Sequence, residues 1–199
     1  MNNKNILLLL SLSASFFIQS SYAASYSERL VNAAIERTFH KVRYDGSYHR
    51  IGFPYGDVPQ NIGVCTDVII RAYRKLGIDL QERVNDDMKH RFFEYPSFRK
   101  WGMLHTDPNI DHRRVPNLRA FFAKNAINFP ISYNANDYRP GDIVTWDVTP
   151  SLPHIGIVTN ILSPDNKRPL IAHNIGKGPQ LEDMLFKLKI TGHYRYLPS

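Results

Sequence analysis

The fold is decided by residues 139–158, which read RPGDIVTWDVTPSLPHIGIV. β-Branched residues lie on both sides of a Pro-containing turn, and this pattern predicts two short strands at 142–148 and 155–162. Residues 170–174 have the same character. Further strands are predicted at 186–190, where apolar residues alternate with lysines, and at 193–196. These closely spaced segments indicate an antiparallel sheet in the C-terminal third of the chain.

The chain before this sheet has helical periodicity. Residues 65–76 carry apolar side chains at helical spacing, and Gly77 supplies the stop signal. Other helices are predicted at 27–40, at 81–93 and from Pro116 onwards, whereas 94–115 is irregular and basic. In 27–40 the apolar stripe is predicted to hold Val31, Ala34, Ile35, Thr38 and Phe39. We therefore expect an α+β domain whose N-terminal helices pack on a C-terminal antiparallel sheet.

Composition excludes several classes of protein. The chain has 199 residues, of which 43% are hydrophobic and 22% charged, so disorder, collagen and a coiled coil are poor interpretations. The length predicts one domain, which we place at 24–199. The chain has one cysteine, which excludes an intramolecular disulfide and a Cys-based zinc cluster.

The first residues predict export. Met1-Asn2-Asn3-Lys4 is a short positive region, Ile6 to Ile18 is apolar, and Ser21-Tyr22-Ala23 resembles a cleavage site. An apolar run this short does not span a bilayer, which needs about 20 residues. We expect residues 1–23 to be a cleaved signal peptide and the mature protein to be periplasmic, with no transmembrane segment. The net charge of +7 then suits an anionic cell envelope better than nucleic acid.

Cys65 is the leading candidate for a nucleophile. It begins the predicted helix 65–76 directly after a Gly-containing loop. Free N–H groups and the positive end of the helix dipole stabilise a thiolate there, so we expect a thiol pKa below its usual value of about 8.5. The same N–H groups can hold an oxyanion. The alternative is a buried, inert cysteine.

A thiolate nucleophile needs a base and a group that orients the base. His154 begins a predicted strand and is the candidate base. His173 and Asn174 are adjacent on the next strand and face opposite sides, so only one of them can orient His154. We favour His173 and keep Asn174 as the alternative.

Two blocks of sequence carry a family resemblance. Gly52-Phe53-Pro54-Tyr55-Gly56 followed by Gly63-Val64-Cys65-Thr66-Asp67 resembles the nucleophile region of the NlpC-type cysteine peptidases. Arg139-Pro140-Gly141-Asp142 followed by His154-Ile155-Gly156-Ile157-Val158 resembles their second block, and His173 falls at the third polar position. The resemblance implies a papain-like fold, a Cys65–His154–His173 triad and a thioester intermediate.

The mature chain, including Asn109-Ile110-Asp111-His112-Arg113-Arg114-Val115-Pro116, also resembles the bacterial family called domain of unknown function 1287. We regard that family as a papain-like relative of the NlpC group. The chain departs from the NlpC pattern in two places. Asp67 stands near the thiol, where it could raise the thiol pKa, cap the helix or bind a basic substrate group. Residues 81–137 look like an insertion.

Tyr55, Asp67, Asp111, His112 and Arg113 are the candidate substrate-binding residues. Tyr55 would line the cleft, and Arg113 or Arg114 would pair with a carboxylate or phosphate of the substrate. A solvated loop held by local ion pairs explains residues 107–114 equally well. A metal site at Asp107, Asp111 and His112 has weak support because no His-Glu-x-x-His motif is present.

The sequence thus predicts a cysteine-dependent amidase or endopeptidase without cofactor or metal, acting on cell-wall peptides or another amide. The protein would act as a monomer and would not bind nucleic acid. An acyl transferase with the same triad and a non-catalytic envelope-binding module are the alternatives.

Overall fold

A computed structural model describes residues 24–198. The described chain forms five α-helices and six strands of one sheet, with a further two-stranded ribbon. The helices are α1 Tyr26–Arg37, α2 Cys65–Lys75, α3 Leu80–Arg91, α4 Pro96–Trp101 and α5 Val115–Asn125. The ribbon pairs β1 Arg43–Tyr44 with β2 Ile62–Gly63 in parallel.

The sheet contains β3 Ile127–Asn128, β4 Ile143–Thr149, β5 Leu152–Leu162, β6 Pro169–His173, β7 Gln180–Glu182 and β8 Lys189–Arg195. Its strands lie in the order β3-β8-β4-β5-β6-β7, and every neighbouring pair is antiparallel. This arrangement of helices and sheet confirms the predicted α+β class.

Helix α1 is shorter than its sequence pattern predicts. The Ser25 hydroxyl accepts from the Glu28 amide at 3.2 Å, and the Ser25 amide donates to the Glu28 carboxylate at 2.6 Å. This reciprocal capping fixes the start of the helix. The helix ends at Arg37, and Phe39 is 81% exposed. The predicted helical stripe was therefore wrong at its C-terminal end.

Helix α2 has almost the predicted bounds, and this matters because it carries Cys65. The carboxylate of Asp67 accepts from the Val64 amide at 2.6 Å and so caps the first turn. At the other end Gly77 has a φ of 83°, a conformation that glycine adopts without steric strain. The cap and the glycine fix both ends of the helix from local sequence.

The sheet is covered on both faces. On one face Ile155 and Ile157 of β5 pack against helical residues such as Leu30, Ile69 and Leu118. On the other face Trp146 and Ile171 pack under Met184 and Leu185. The indole N–H of Trp146 donates to the Leu185 carbonyl at 2.9 Å, which ties residues 184–188 to this face.

That second cover explains one wrong strand prediction. Residues 186–190 alternate like a strand, but 184–187 form a turn over Trp146, and β8 begins only at Lys189. The short strand β7 was missed because it has three residues and no periodic pattern. Helix α4 was also missed, in the segment predicted to be irregular.

No helix within residues 24–198 is long and apolar enough to cross a membrane. The predicted signal peptide, residues 1–23, lies outside the described residues. The single-domain prediction and the predicted insertion at 81–137 both stay predictions.

Candidate active site

Cys65 is the first residue of α2 and is only 5% exposed. Its sulfur lies near the backbone amides of Ile155, Thr66 and Cys65 itself, and these amides favour the thiolate. The ladder between β5 and β6 begins at the pair Ile157–Ala172. The Ile155 amide lies beyond the end of that ladder and is free to bond the sulfur. The thiol is thus placed where the helix start meets the open edge of β5.

Burial raises the pKa of the Cys65 thiol to about 12. The negative charge of Asp67 adds to this increase, and the three backbone amides only partly oppose it. The expectation of a lowered thiol pKa was based on the helix start alone, and the structure gives the opposite direction. At neutral pH the resting group is a thiol.

Tyr44, on β1, is a neighbour of the thiol that the sequence did not single out for this site. Its hydroxyl lies next to the Cys65 sulfur, and its side chain is partly open to solvent, with 39% of the residue exposed. Burial raises the pKa of Tyr44 to about 12, and the charges of Cys65 and Asp67 act in the same direction. No motif marks this tyrosine, which lies 21 positions before the cysteine.

His154 and His173 form a direct pair on adjacent strands. His154 Nε2 lies 2.9 Å from His173 Nδ1, and both side chains are buried. Gly156 makes this approach possible, because a Cβ at that position would lie 3.2 Å from the His173 Cβ and 2.5 Å from Ile171 Cγ2. Burial lowers the pKa of His154 to about 3, and the nearby His173 adds to this effect. Both imidazoles are therefore neutral at pH 7.

Asn174 points elsewhere. Its amide nitrogen donates to the Gly63 carbonyl at 3.4 Å, and its amide oxygen accepts from Gly176 N at 3.1 Å. Of the two candidate orienting residues, His173 is the one brought to His154. Asn174 instead ties the end of β6 to the strand before Cys65.

Within residues 24–198 no hydrogen bond joins Cys65 to the His154 ring. The sulfur contacts the backbone of Ile155, the next residue along β5. Catalytic hydrogen bonds are often long before substrate binds and tighten afterwards. At rest the site holds a neutral thiol and a neutral imidazole, without an ion pair.

Asp67 and Arg113 form a buried ion pair. The guanidinium contacts the two carboxylate oxygens at 2.9 and 3.0 Å. Arg113 also donates to the Ser47 carbonyl at 3.3 Å, and its own carbonyl accepts from Thr66 Oγ1 at 3.0 Å. Each of the three guanidinium nitrogens donates to a protein atom. The two residues hold the turn 111–113 against the start of α2.

Asp111 and His112 are also buried. Asp111 accepts from the Asp107 amide at 2.6 Å and from the Ser97 hydroxyl at 3.1 Å. His112 Nδ1 has no hydrogen-bond partner among the described residues, and burial lowers the pKa of His112 to about 3. The structure places both residues inside the protein instead of on an open wall.

Tyr55 lies at the opposite end of α2 from Cys65. Its amide donates to Asp79 at 2.7 Å, and its hydroxyl lies 3.4 Å from the Gly77 carbonyl. An 11-residue helix is about 16 Å long. Tyr55 is therefore not brought together with Cys65, His154 and His173.

Two further features escaped sequence reasoning. Glu182 Oε2 lies 2.9 Å from His173 Nε2. A basic groove with a volume of about 520 Å³ is lined by His40, Lys41, Arg43, Asn61 and Lys177 with neighbouring residues. These residues come from distant parts of the chain, so no spacing in the sequence connects them. Among residues 24–198 no group of three or more His, Cys, Asp and Glu side chains has the arrangement of a metal site.

Fold and site together define an α+β protein with a buried cysteine at a helix start. Two adjacent strands of its sheet carry a hydrogen-bonded pair of histidines, His154 and His173. The model of the family described as "Domain of unknown function (DUF1287)" matches residues 31–196, and the chain belongs to that family. A relative from Escherichia coli (strain K12), "Uncharacterized protein YijF", is 49% identical over 153 residues. That match covers 77% of this chain and 73% of the relative. Neither description names a reaction, so the chemistry has to be argued from the site.

Proposed function

We propose that this protein is an exported cysteine-dependent amide hydrolase of the papain-like, NlpC type, acting on peptidoglycan peptides. The observation that carries the proposal is the His154–His173 bond of 2.9 Å beside a thiol that contacts the backbone of Ile155. A nucleophile, a base and a group that orients the base are the parts that acyl transfer from an amide requires.

The reaction would begin with attack of Cys65 Sγ on the carbonyl carbon of the substrate amide. The thiol proton passes to the free nitrogen of His154, and backbone amides at the start of α2 hold the oxyanion. The C–N bond then breaks as His154 returns the proton to the leaving amine. Water attacks the thioester, and the products are a carboxylate and the regenerated thiol.

The raised thiol pKa determines when the proton moves. Because the resting site favours a neutral thiol, the proton leaves the sulfur as the S–C bond forms and not before it. Substrate must also reach the sulfur, and the Tyr44 hydroxyl is one of the groups that it would displace. We therefore expect slow alkylation of the resting protein at pH 7, even if the enzyme is active.

The choice of substrate class is supported by the basic groove. Arg43 is adjacent to Tyr44 on β1, and Lys177 lies on the loop that follows His173 and Asn174. Within residues 24–198 neither Lys41 nor Lys177 has an ion-pair partner, whereas Arg113 is committed to Asp67. Carboxylates of peptidoglycan stem peptides would find free cations here.

A non-catalytic envelope-binding module is the second candidate. Burial of Cys65 and its raised pKa favour this function, because a structural cysteine has these properties. The two candidates differ in whether bonds are broken.

The test is digestion of purified peptidoglycan by the protein and by the variants Cys65→Ala and His154→Ala, followed by mass analysis. We expect new peptide termini from the unmodified protein and a loss of about 10³-fold or more in both variants. His105→Ala, which alters an exposed histidine, is the control and should retain activity. Binding without cleavage would favour the module, and products bearing an added amine would identify a transferase.

A further inference from the structure

His173 is contacted at both of its ring nitrogens. Nδ1 lies 2.9 Å from His154 Nε2, and Nε2 lies 2.9 Å from Glu182 Oε2. The carboxylate approaches off the axis of the ring N–H, so the contact is electrostatic more than an aligned hydrogen bond. Three groups from β5, β6 and β7 thus lie in one row that ends at the surface, where the Glu182 side chain is 42% exposed.

The charge of Glu182 selects one assignment of protons in this row while both imidazoles are neutral. A carboxylate accepts and never donates, so His173 must present Nε2–H to Glu182. The other nitrogen of His173, Nδ1, is then an acceptor. Since His154 Nε2 faces that acceptor, it carries the second proton. His154 Nδ1 is left with a free lone pair, as a base requires.

We propose that Glu182 is a positioning residue that sets the tautomer of His154 through His173. The proposal rests on the proposed function, because it concerns the base of that same site. Glu182 acts at a distance and touches neither substrate nor thiol.

The charge of Glu182 has a second consequence after the thiol proton moves. His154 then carries protons on both nitrogens and a positive charge in a buried site. His173 Nδ1 accepts from the imidazolium, and the carboxylate behind it favours that charge. No further proton is transferred, and His173 stays neutral. Burial lowers the pKa of His173, and the Glu182 charge opposes this effect, consistent with a direct interaction.

Loss of the Glu182 carboxylate removes the preference of His173 and His154 for one tautomer. With alanine at 182, His173 is free to hold its proton on Nδ1 and to donate to His154 Nε2. His154 would then carry its proton on Nδ1, where the thiol proton has to arrive. Such molecules lack a base at the sulfur.

The experiment is ¹⁵N NMR of the histidine side chains in the purified protein and in Glu182→Ala, Glu182→Gln and Glu182→Asp. Protonated and bare ring nitrogens have well-separated shifts, so each tautomer is read directly. We expect Nε2–H on both histidines in the unmodified protein. Glu182→Ala and Glu182→Gln should give a mixture of tautomers, and Glu182→Asp should restore much of the original state. Glu36→Gln is the matched control, because its side chain is similarly exposed at 46% and also faces one partner, Lys75.

Activity is measured in parallel on the same samples. We expect kcat to fall about 10- to 100-fold in Glu182→Ala and Glu182→Gln, with KM unchanged and partial recovery in Glu182→Asp. Unchanged tautomers in Glu182→Ala would overturn the proposal, whatever the activity. If the tautomers change but no protein in the series cleaves peptidoglycan, the positioning role stands and the proposed function fails.

Discussion

Asp67 performs three tasks at one position. It caps α2 through the Val64 amide, it neutralises the buried Arg113, and its charge raises the pKa of the Cys65 thiol. The first two tasks stabilise the fold, whereas the third opposes formation of a thiolate. A carboxylate two residues from the nucleophile therefore reflects structural demand at the start of the helix.

Replacing Asp67 by Asn separates these tasks. An amide oxygen still accepts from Val64, but the Arg113 charge is left buried without its partner. We expect the free energy of unfolding to fall by about 3–5 kcal/mol. The pKa of Cys65 should fall, so that more thiolate forms at a given alkaline pH. Denaturant unfolding and the thiolate absorbance between pH 7 and 11 measure the two effects.

Asp142→Asn is the control for this prediction. Asp142, immediately before β4, is also fully buried and paired, with Arg195 at 2.7 Å and His193 at 2.7 Å. Its loss should destabilise the protein comparably and leave the thiol titration unchanged. An equal shift of the Cys65 titration in both variants would mean that general loosening lowers the pKa, and not the charge of Asp67.

At the scale of single residues, the sequence was sufficient to identify the site residues that belong to motifs. Cys65, His154 and His173 were identified from local pattern and resemblance, and the structure brings the two histidines together. It could not find Tyr44 or Glu182, because their roles arise only after strands fold against each other. Asp67 and Arg113 were both selected, but their mutual pairing was not foreseen, since 46 positions separate them.

At the scale of elements, the close approach of β5 and β6 determines the histidine pair. Gly156 faces the β6 side chains, and a Cβ there would lie 2.5 Å from Ile171 Cγ2, well inside van der Waals contact. Ile171 is fully buried against Trp146 and Leu185, so it has little room to move. The site thus requires glycine, which has no side chain, at position 156.

We expect Gly156→Ala to push β6 away from β5, with a loss of about 1–3 kcal/mol of stability from overpacking. The His154–His173 bond should lengthen, and peptidoglycan cleavage should fall more than stability alone explains. Denaturant unfolding, histidine ¹⁵N shifts and activity are measured together. Gly46→Ala is the control, because its Cβ would meet only Val64 Cγ1 at an ordinary 3.6 Å. Unchanged histidine shifts in Gly156→Ala would show that the pair does not depend on this approach.

Elements were predictable where local signals fix them. Helix α2 and strands β4 to β6 have strong periodicity and clear stop signals, and their predicted bounds agree with the structure to within about three residues. Residues 186–190 show where local sequence signals fail to predict the structure. Their alternation is real, but Trp146 needs a cover on the second face of the sheet, and tertiary packing makes 184–187 a turn.

At the scale of the whole molecule, three buried histidines couple stability to pH. His112, His154 and His173 are all buried, on the turn 111–113 and on two central strands. Burial lowers the pKa of each of them, to about 3 for His112 and for His154. In the unfolded chain the same groups would titrate near 6.5. The folded protein thus excludes protons that the unfolded chain binds.

This difference in bound protons gives the direction in which stability changes with pH. Between about pH 6.5 and pH 3 the unfolded chain binds more protons, so the free energy of unfolding falls as the pH falls. His112 and His154 each contribute a slope that approaches about 1.4 kcal/mol per pH unit once the unfolded form is protonated, and His173 acts in the same direction. For a domain stabilised by about 5–15 kcal/mol, such groups remove a large part of the stability in mild acid. The effect of His112 is independent of the catalytic proposal, because that residue lies away from the thiol contacts.

We therefore expect urea midpoints to be nearly constant above pH 7 and to drop steeply between pH 6.5 and 4.5. The measurement is urea unfolding at half-unit steps of pH, for the unmodified protein, for His112→Gln and for the exposed-site control His105→Gln. His112→Gln should reduce the slope of the free energy of unfolding against pH by the equivalent of about one bound proton, after allowance for the stability that the substitution itself removes. His105→Gln should leave this slope unchanged. A stability that stays constant down to pH 4.5 would mean that the buried imidazoles accept protons in the folded state. Their pKa values would then lie near 6.5, and His154 would be charged in mild acid, unable to act as the base.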